Sequence, residues 1–195
     1  MESAAPSRVA LIGNPNVGKS VIFGLLTGRY AAVSNYPGTT VEVAQGFMTI
    51  DGRQVSLVDT PGANGLLPQS EDERVTRDLL LESPVTVLQV ADAKNLPRAL
   101  AMTAQIAEAG LPSVLCLNMS DEAGSLGIDI DVEALSTCLG IDVVPTVATQ
   151  RTGVWRLPEL LASARVSTLR IDYGPEIEQA ALRIEALLPP ASMAP

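Results

Sequence analysis

Gly13-Asn14-Pro15-Asn16-Val17-Gly18-Lys19-Ser20 follows the apolar run Val9-Ala10-Leu11-Ile12 and precedes Val21-Ile22-Phe23. The pattern G-x-x-x-x-G-K-S between a strand and a helix start predicts a phosphate cradle. Backbone N–H groups of such a turn and the positive end of the helix both point at one anion. Gly13 and Gly18 allow the tight path, Lys19 would reach the outer phosphates, and the Ser20 hydroxyl would ligate Mg²⁺. Asn14, Pro15, Asn16, Val17, Gly18, Lys19, Ser20 and Val21 form the expected nucleotide-binding stretch. A Gly-rich turn that binds nothing is the bland alternative, and the apolar flanks argue against it.

Outward from this turn, strand-like and helix-like segments alternate, which predicts βαβ units and a mostly parallel sheet. Strands are expected at 8–13, 41–50, 54–59, 85–90, 113–117 and 142–147. The expectation is therefore an α/β fold with a six-stranded sheet flanked by helices. Asp51-Gly52 signals a hairpin, so one edge pair should be antiparallel. Helices are expected at 19–27, 71–82, 95–110, 131–139 and 153–165, and residues 29–40 and 60–70 read as flexible loops. Ser70-Glu71-Asp72-Glu73 fits a capping box better than a metal site. After a break at 166–174, Pro175 at a first helical position opens a further amphipathic helix ending at Pro189-Pro190. That helix could pack on the preceding domain or dock a partner. The domain reading is a short disordered start at 1–6, a main domain at 7–166, a helical addition at 167–190 and a tail at 191–195.

Composition narrows the chemistry. The 195 residues carry a net charge of −9 and no histidine, so a Ser-His-Asp triad and His-based metal sites are excluded. An acidic chain lacks the basic footprint of a nucleic-acid binder. No apolar run approaches the ~18 residues of a membrane span, and Met1–Pro6 lacks the basic and apolar regions of a signal peptide. The chain as given reads as soluble and cytosolic, with Cys116 and Cys138 as buried free thiols.

Three further motifs fall at strand ends, where the ligand crevice of an open α/β sheet lies. Asn118-Met119-Ser120-Asp121 ends a buried strand. Asp121 can accept from both the N1–H and the exocyclic amine of guanine, whereas adenine offers no donor at N1. Asn118 would tie this loop to the phosphate cradle and the base. Asp59-Thr60-Pro61-Gly62 can hold a water on Mg²⁺ through Asp59 and meet a γ-phosphate through the Gly62 N–H. Gly38-Thr39-Thr40 offers a Thr hydroxyl to Mg²⁺. Each is weak alone; order and spacing make them specific together.

The set resembles the small GTPases of the P-loop NTPase class, with Thr40 as second motif and Ala148-Thr149-Gln150 as the fifth. That resemblance implies backbone N–H groups of residues 148–150 meeting the guanine O6. Within the class, Asn14-Pro15-Asn16, Asn35-Tyr36-Pro37-Gly38-Thr39-Thr40-Val41-Glu42, Asn118-Met119 and Val90–Arg98 resemble the ferrous iron transport protein B (FeoB) GTPase domain. Ile171–Glu178 looks like the start of that family's helical spacer. The resemblance implies a GTP/GDP-binding domain with slow hydrolysis that regulates a polytopic membrane iron-permease domain, at the cytoplasmic face of the inner membrane. Small Feo accessory proteins and a homo-oligomer are further partners it leaves open. It also implies K⁺ held by Asn16 and by carbonyls of 34–38 in place of an arginine finger; a turn-stabilising Asn16 is the bland alternative, and Arg29 reads as a surface residue. Lys19, Thr40, Gly62 and Asn16 are thus the expected catalytic positions, with Ser20, Thr40 and Asp59 on Mg²⁺. Two departures stand out: Met119 lacks the cationic stem usual there, which predicts modest affinity, and Ala148 replaces a small polar residue. Ala63 stands where other GTPases carry a water-orienting Gln, so a scaffold with degenerate nucleotide binding is a rival. Era- or TrmE-like GTPases, associated with ribosomes or tRNA modification, are the nearest enzymatic alternative.

Overall fold

The computed structural model describes residues 6–28, 31–82 and 84–187. The expected N-terminal tail apart from Pro6, Arg29, the end of the last helix and the 191–195 tail lie outside them. Strands β1 (Arg8–Ile12), β4 (Arg53–Asp59), β5 (Thr86–Asp92), β6 (Pro112–Asn118) and β7 (Asp142–Pro145) form the parallel part of the sheet. β1, β5 and β6 are covered on both faces, which is why they read as continuous apolar runs. β3 (Glu42–Ile50) joins β4 through Asp51 and Gly52, whose φ values of 48° and 74° make the two-residue hairpin turn that their residue types predict. Its alternating burial leaves Phe47 on the solvent side.

Two additions extend the six expected strands. Residues 31–35, expected within a loop, form edge strand β2 (Ala31–Asn35), paired antiparallel from Ala31 opposite Gly46 to Asn35 opposite Glu42. Its Ala-Ala-Val-Ser-Asn has no apolar alternation to announce it; the ladder to β3 makes the strand. β8 (Arg165–Val166) pairs antiparallel with the start of β6. The sheet order is β2-β3-β4-β1-β5-β6-β7.

Helices α1 (Lys19–Thr27), α2 (Glu71–Leu81), α3 (Leu96–Glu108) and α5 (Val132–Leu139) stand where periodicity placed them. A short α4 (Ser120–Ser125) grows out of the motif after β6. The expected closing helix is shorter, a 3₁₀ turn at Val154–Arg156 leading into α6 (Leu157–Ala162). One core cluster joins Val9, Leu11, Leu57, Leu88 and Cys116 to Ile22 of α1 and Leu161 of α6. On the opposite face Ala10, Ile12 and Val87 pack on Leu80 of α2 and on Met102 and Ile106 of α3. Cys116 is buried, and burial pushes its thiol up to about 12. Cys138 is exposed, contrary to the sequence expectation: Val132, Leu135 and Leu139 form the packed face of α5 and turn it outward.

The segment after β8 is stitched to the domain before the last helix begins. Ser167 Oγ donates to the Leu139 carbonyl at 2.6 Å and the Thr168 N–H donates to it at 3.1 Å. Tyr173 Oη donates to Glu108 at 2.6 Å. Helix α7 (Pro175–Leu187) has no buried residue, and Ile177, Leu182, Ile184 and Leu187 are exposed. Among the described residues, no helix is long and apolar enough to cross a membrane.

Candidate guanine-nucleotide site

The carboxyl ends of β1, β4, β5 and β6 carry the motif residues. At the end of β1 the backbone of Gly13 runs against β5: a Cβ there would lie 2.1 Å from the Val90 carbonyl oxygen. Gly18 has φ 90°, and a Cβ on it would meet the Asn118 amide nitrogen at 2.4 Å. α1 starts at Lys19 with no side chain capping its first N–H groups, which leaves them for an anion. Asn14 is buried, and its Nδ2 donates to the Ala63 carbonyl at 3.1 Å and to Asn64 Oδ1 at 3.4 Å. The Ala63 N–H donates back to the Gly13 carbonyl at 3.1 Å. The phosphate loop and the loop after β4 are therefore one hydrogen-bonded unit.

Ser20 Oγ donates to Asp59 Oδ2 at 2.9 Å, and Lys19 Nζ lies 3.9 Å from Asp59 Oδ1. That Oδ1 is buried and accepts no hydrogen bond. Burial holds the Asp59 carboxyl above its ordinary value, opposed by Lys19 and the Ser20 hydroxyl. A buried anionic oxygen without a donor, beside a hydroxyl, is a donor set suited to Mg²⁺ and its waters. Thr40 is exposed on the loop before β3. Its neighbour Thr39 closes that loop on itself, donating through Oγ1 to the Tyr36 carbonyl at 3.0 Å. Tyr36 Oη donates to Glu82, just past α2, and this bond is the main cause that raises the phenol to about 12.

Asn118 is the hub of the base end. It is 3% exposed; its Nδ2 donates to the Val17 carbonyl at 2.9 Å, and its Oδ1 accepts from Thr146 Oγ1 at 3.2 Å and from the Ala148 N–H at 3.0 Å. One side chain thus joins the phosphate loop, the motif after β6 and the turn after β7. Asp121 is exposed, touched by Gln150 Nε2 at 3.4 Å. Of the backbone donors expected for the base, Ala148 N–H is taken by Asn118, and Gln150 N–H by the Val147 carbonyl at 3.0 Å. Gly18, Val21, Asn118, Met119, Asp121 and Thr149 are among the residues around a cavity of about 100 Å³ at this end.

Two residues take roles that the sequence reading missed. Ala63 is 0% exposed and packs with Ala10, Ile12 and Leu80, so its side chain points into the core rather than toward a phosphate. Glu73 does more than complete a cap. Ser70 Oγ accepts from the Glu73 N–H at 3.2 Å, but the Glu73 carboxylate reaches past the cap to the N–H of Asn64 at 3.0 Å and of Gln69 at 2.8 Å. The loop 64–69 is gathered around that carboxylate. The Gln69 bond, then the Asn64 bond, lower its pKa below the ordinary 4.5. The stabilisation is complete above 4.5 and is lost as pH falls through the lower folded value. Amide exchange of residues 64–67 and 69, taken relative to the intrinsic rate at each pH, should accelerate in acid below that range in the wild-type protein. In Glu73→Gln it should be fast and much less dependent on protonation over the same range, and an acid response identical to wild type would remove Glu73 as its cause.

The family model for ferrous iron transport protein B matches residues 7–161. The chain belongs to the FeoB family. It is 42% identical over 188 residues to the Fe(2+) transport protein A/Fe(2+) transporter FeoB fusion protein of Porphyromonas gingivalis, covering 92% of this chain and 22% of that protein. It superposes with TM-score 0.84 and 36% identity on a mutant of S. thermophilus NFeoB bound to mGDP, covering 98% of this chain and 74% of that one. With the cytosolic domain of the T. maritima FeoB iron transporter in its GMPPNP form the TM-score is 0.85 at 36% identity, over 92% of this chain and 73% of the other. These matches place the chain in FeoB and not among the Era or TrmE GTPases. The chain spans about a fifth of the length of its curated FeoB relatives.

Proposed function

We propose that this FeoB domain is a guanine-nucleotide switch: it binds GDP and GTP with Mg²⁺ and hydrolyses GTP slowly. The observation that carries the reading is Asn118, which locks the phosphate loop to the loop bearing Asp121. That link lets one ligand be held at both ends, by its phosphates and by its base. Lys19 and the uncapped N–H groups of α1 hold the β- and γ-phosphates, and the Gly62 N–H orients the γ-phosphate. Gly62 packs against Pro15, where a Cβ would lie 3.2 Å from the Pro15 backbone, so this N–H sits next to the cradle. Mg²⁺, when bound, offsets charge on the phosphates; Ser20 and Thr40 would hold it directly and Asp59 through water. Thr40 has to move inward for this, which makes residues 29–42 the segment that responds to a γ-phosphate, together with 60–70. The buried Ala63 leaves positioning and charge to do the catalysis.

Asn16 is the proposed K⁺ ligand. It is exposed at φ 64°, a left-handed conformation that costs a non-glycine residue about 1 kcal/mol. Edge strand β2 turns part of its carbonyls away from β3, which offers further oxygen donors. In the full-length protein the switch would report to a membrane part that moves Fe²⁺, from the cytoplasmic face of the membrane, with residues 167–190 as the start of a spacer. Fluorescent GDP should bind the purified chain and fluorescent ADP should not; equal binding would sink the guanine reading. GTP turnover should be several-fold faster in KCl than in NaCl at equal ionic strength, and equal rates would remove Asn16 from the mechanism.

A further inference from the structure

Lys94 lies just beyond β5, in the 3₁₀ turn Ala93–Asn95 that leads into α3. Asp92 stands opposite Asn118 in the β5–β6 register, which brings this turn beside the guanine-reading loop. The Asp92 side chain accepts from the Lys94 backbone N–H at 2.9 Å and fixes the turn. The Lys94 ammonium then reaches three groups. It is ion-paired with Asp92 Oδ2 at 3.7 Å and with Glu122, and it lies 3.6 Å from Met119 Sδ. Met119 and Glu122 flank Ser120 and Asp121, and both help to line the base-end cavity.

We propose that Lys94 is the positioning residue for Asp121, supplying from the turn after β5 the cation that Met119 does not provide within its own motif. Two physical facts support the assignment. Met119 holds φ 61°, a left-handed conformation, and the Lys94 contact at its Sδ adds to the two bonds by which Ser120 ties this loop to the Thr146 carbonyl. The neighbourhood is also acidic: Asp92, Asp121 and Glu122 gather at the base end of a site for an anionic nucleotide, on a chain of net charge −9. An ammonium bridging Asp92 on β5 and Glu122 on α4 offsets that charge and fixes the first turn of α4. Asp121 is in that turn. The bond to Glu122 raises the Lys94 pKa, in keeping with an ammonium that stays charged. Lys94 is not among the residues around the base-end cavity; it acts through the loop.

This inference rests on the guanine reading, so the experiment begins with the wild-type chain, which should prefer GDP to ADP. If it does not, both fall together. Dissociation constants for GDP and for inosine diphosphate, which lacks the exocyclic amine, are then compared at low salt in Lys94→Met and Lys94→Arg. Asp121 meets GDP at two donors and inosine diphosphate at one, so a loosened Asp121 harms GDP more. Lys94→Met should weaken GDP about fivefold to tenfold and inosine diphosphate less, narrowing the preference; Lys94→Arg should stay within about twofold of wild type. Proportional weakening of both nucleotides, or no weakening, would overturn the proposal. If Lys94→Met does not fold, Glu122→Gln removes the other half of the bridge. It should narrow the preference in the same direction, and an unchanged ratio there would be equally decisive against it.

Discussion

Asp121→Asn should lower GDP affinity by about a thousandfold, a loss typical of a site built to read a donor that is then left unmatched. The carboxylate is exposed and meets Gln150 at 3.4 Å, so little of the fold depends on it. The thermal midpoint of the nucleotide-free protein should therefore stay where it is. The amide of the variant presents a donor where the carboxylate presented an acceptor, and xanthine offers an oxygen in place of the exocyclic amine. Affinity for xanthosine diphosphate should rise as that for GDP falls. Calorimetric titration with the two nucleotides reads both changes, and GDP affinity kept within about threefold would show that the carboxylate does not read the base.

Asn118→Ala should do the opposite kind of damage, to the fold as well as to binding. The substitution leaves the Val17 carbonyl and the Ala148 N–H without the Asn118 partner, whereas Thr146 Oγ1 loses Asn118 but keeps Cys116 Sγ at 3.1 Å. Buried groups stranded in this way cost about 1–3 kcal/mol each, and partial relaxation puts the total near 3 kcal/mol. For a domain of this size the midpoint should fall by about 6–12 °C. GDP affinity should drop with it, because the phosphate loop and the base-reading loop lose their shared anchor. A stable variant with weak binding would mean that Asn118 serves the ligand alone; an unstable one that binds normally once folded would mean the reverse.

Most of this architecture was legible in the residues. The parallel strands announced themselves because burial on both faces demands unbroken apolar runs, as in Val87–Ala91. The hairpin did so because Asp51 and Gly52 both need positive φ. Strand β2 was not legible: Ala31–Asn35 is held by pairing with a distant segment, and nothing in its own side chains encodes that. Within the candidate site, the residues proposed to meet the ligand (Lys19, Ser20, Asp59, Asp121) could be named from spacing. Residues that serve the fold of the loops could not. Glu73 looked like a cap because the cap pattern is local, whereas its partners at 64 and 69 are brought to it by the turn of the loop. Ala63 looked like a missing catalytic group, and the structure shows a core position.

Tyr173, where the chain leaves the domain for α7, rests on Glu108, the last residue of α3. The opposite end of that helix starts at Leu96, beside Lys94 and Arg98, and Arg98 donates to Asn64 in the loop after β4. A helix of 13 residues is about 20 Å long and stiff over that span. One rod therefore runs from the nucleotide end of the molecule to its exit. The loop bearing Asn64 and the segment bearing Tyr173 are thus fastened to opposite ends of a single helix, with no other element needed to connect them.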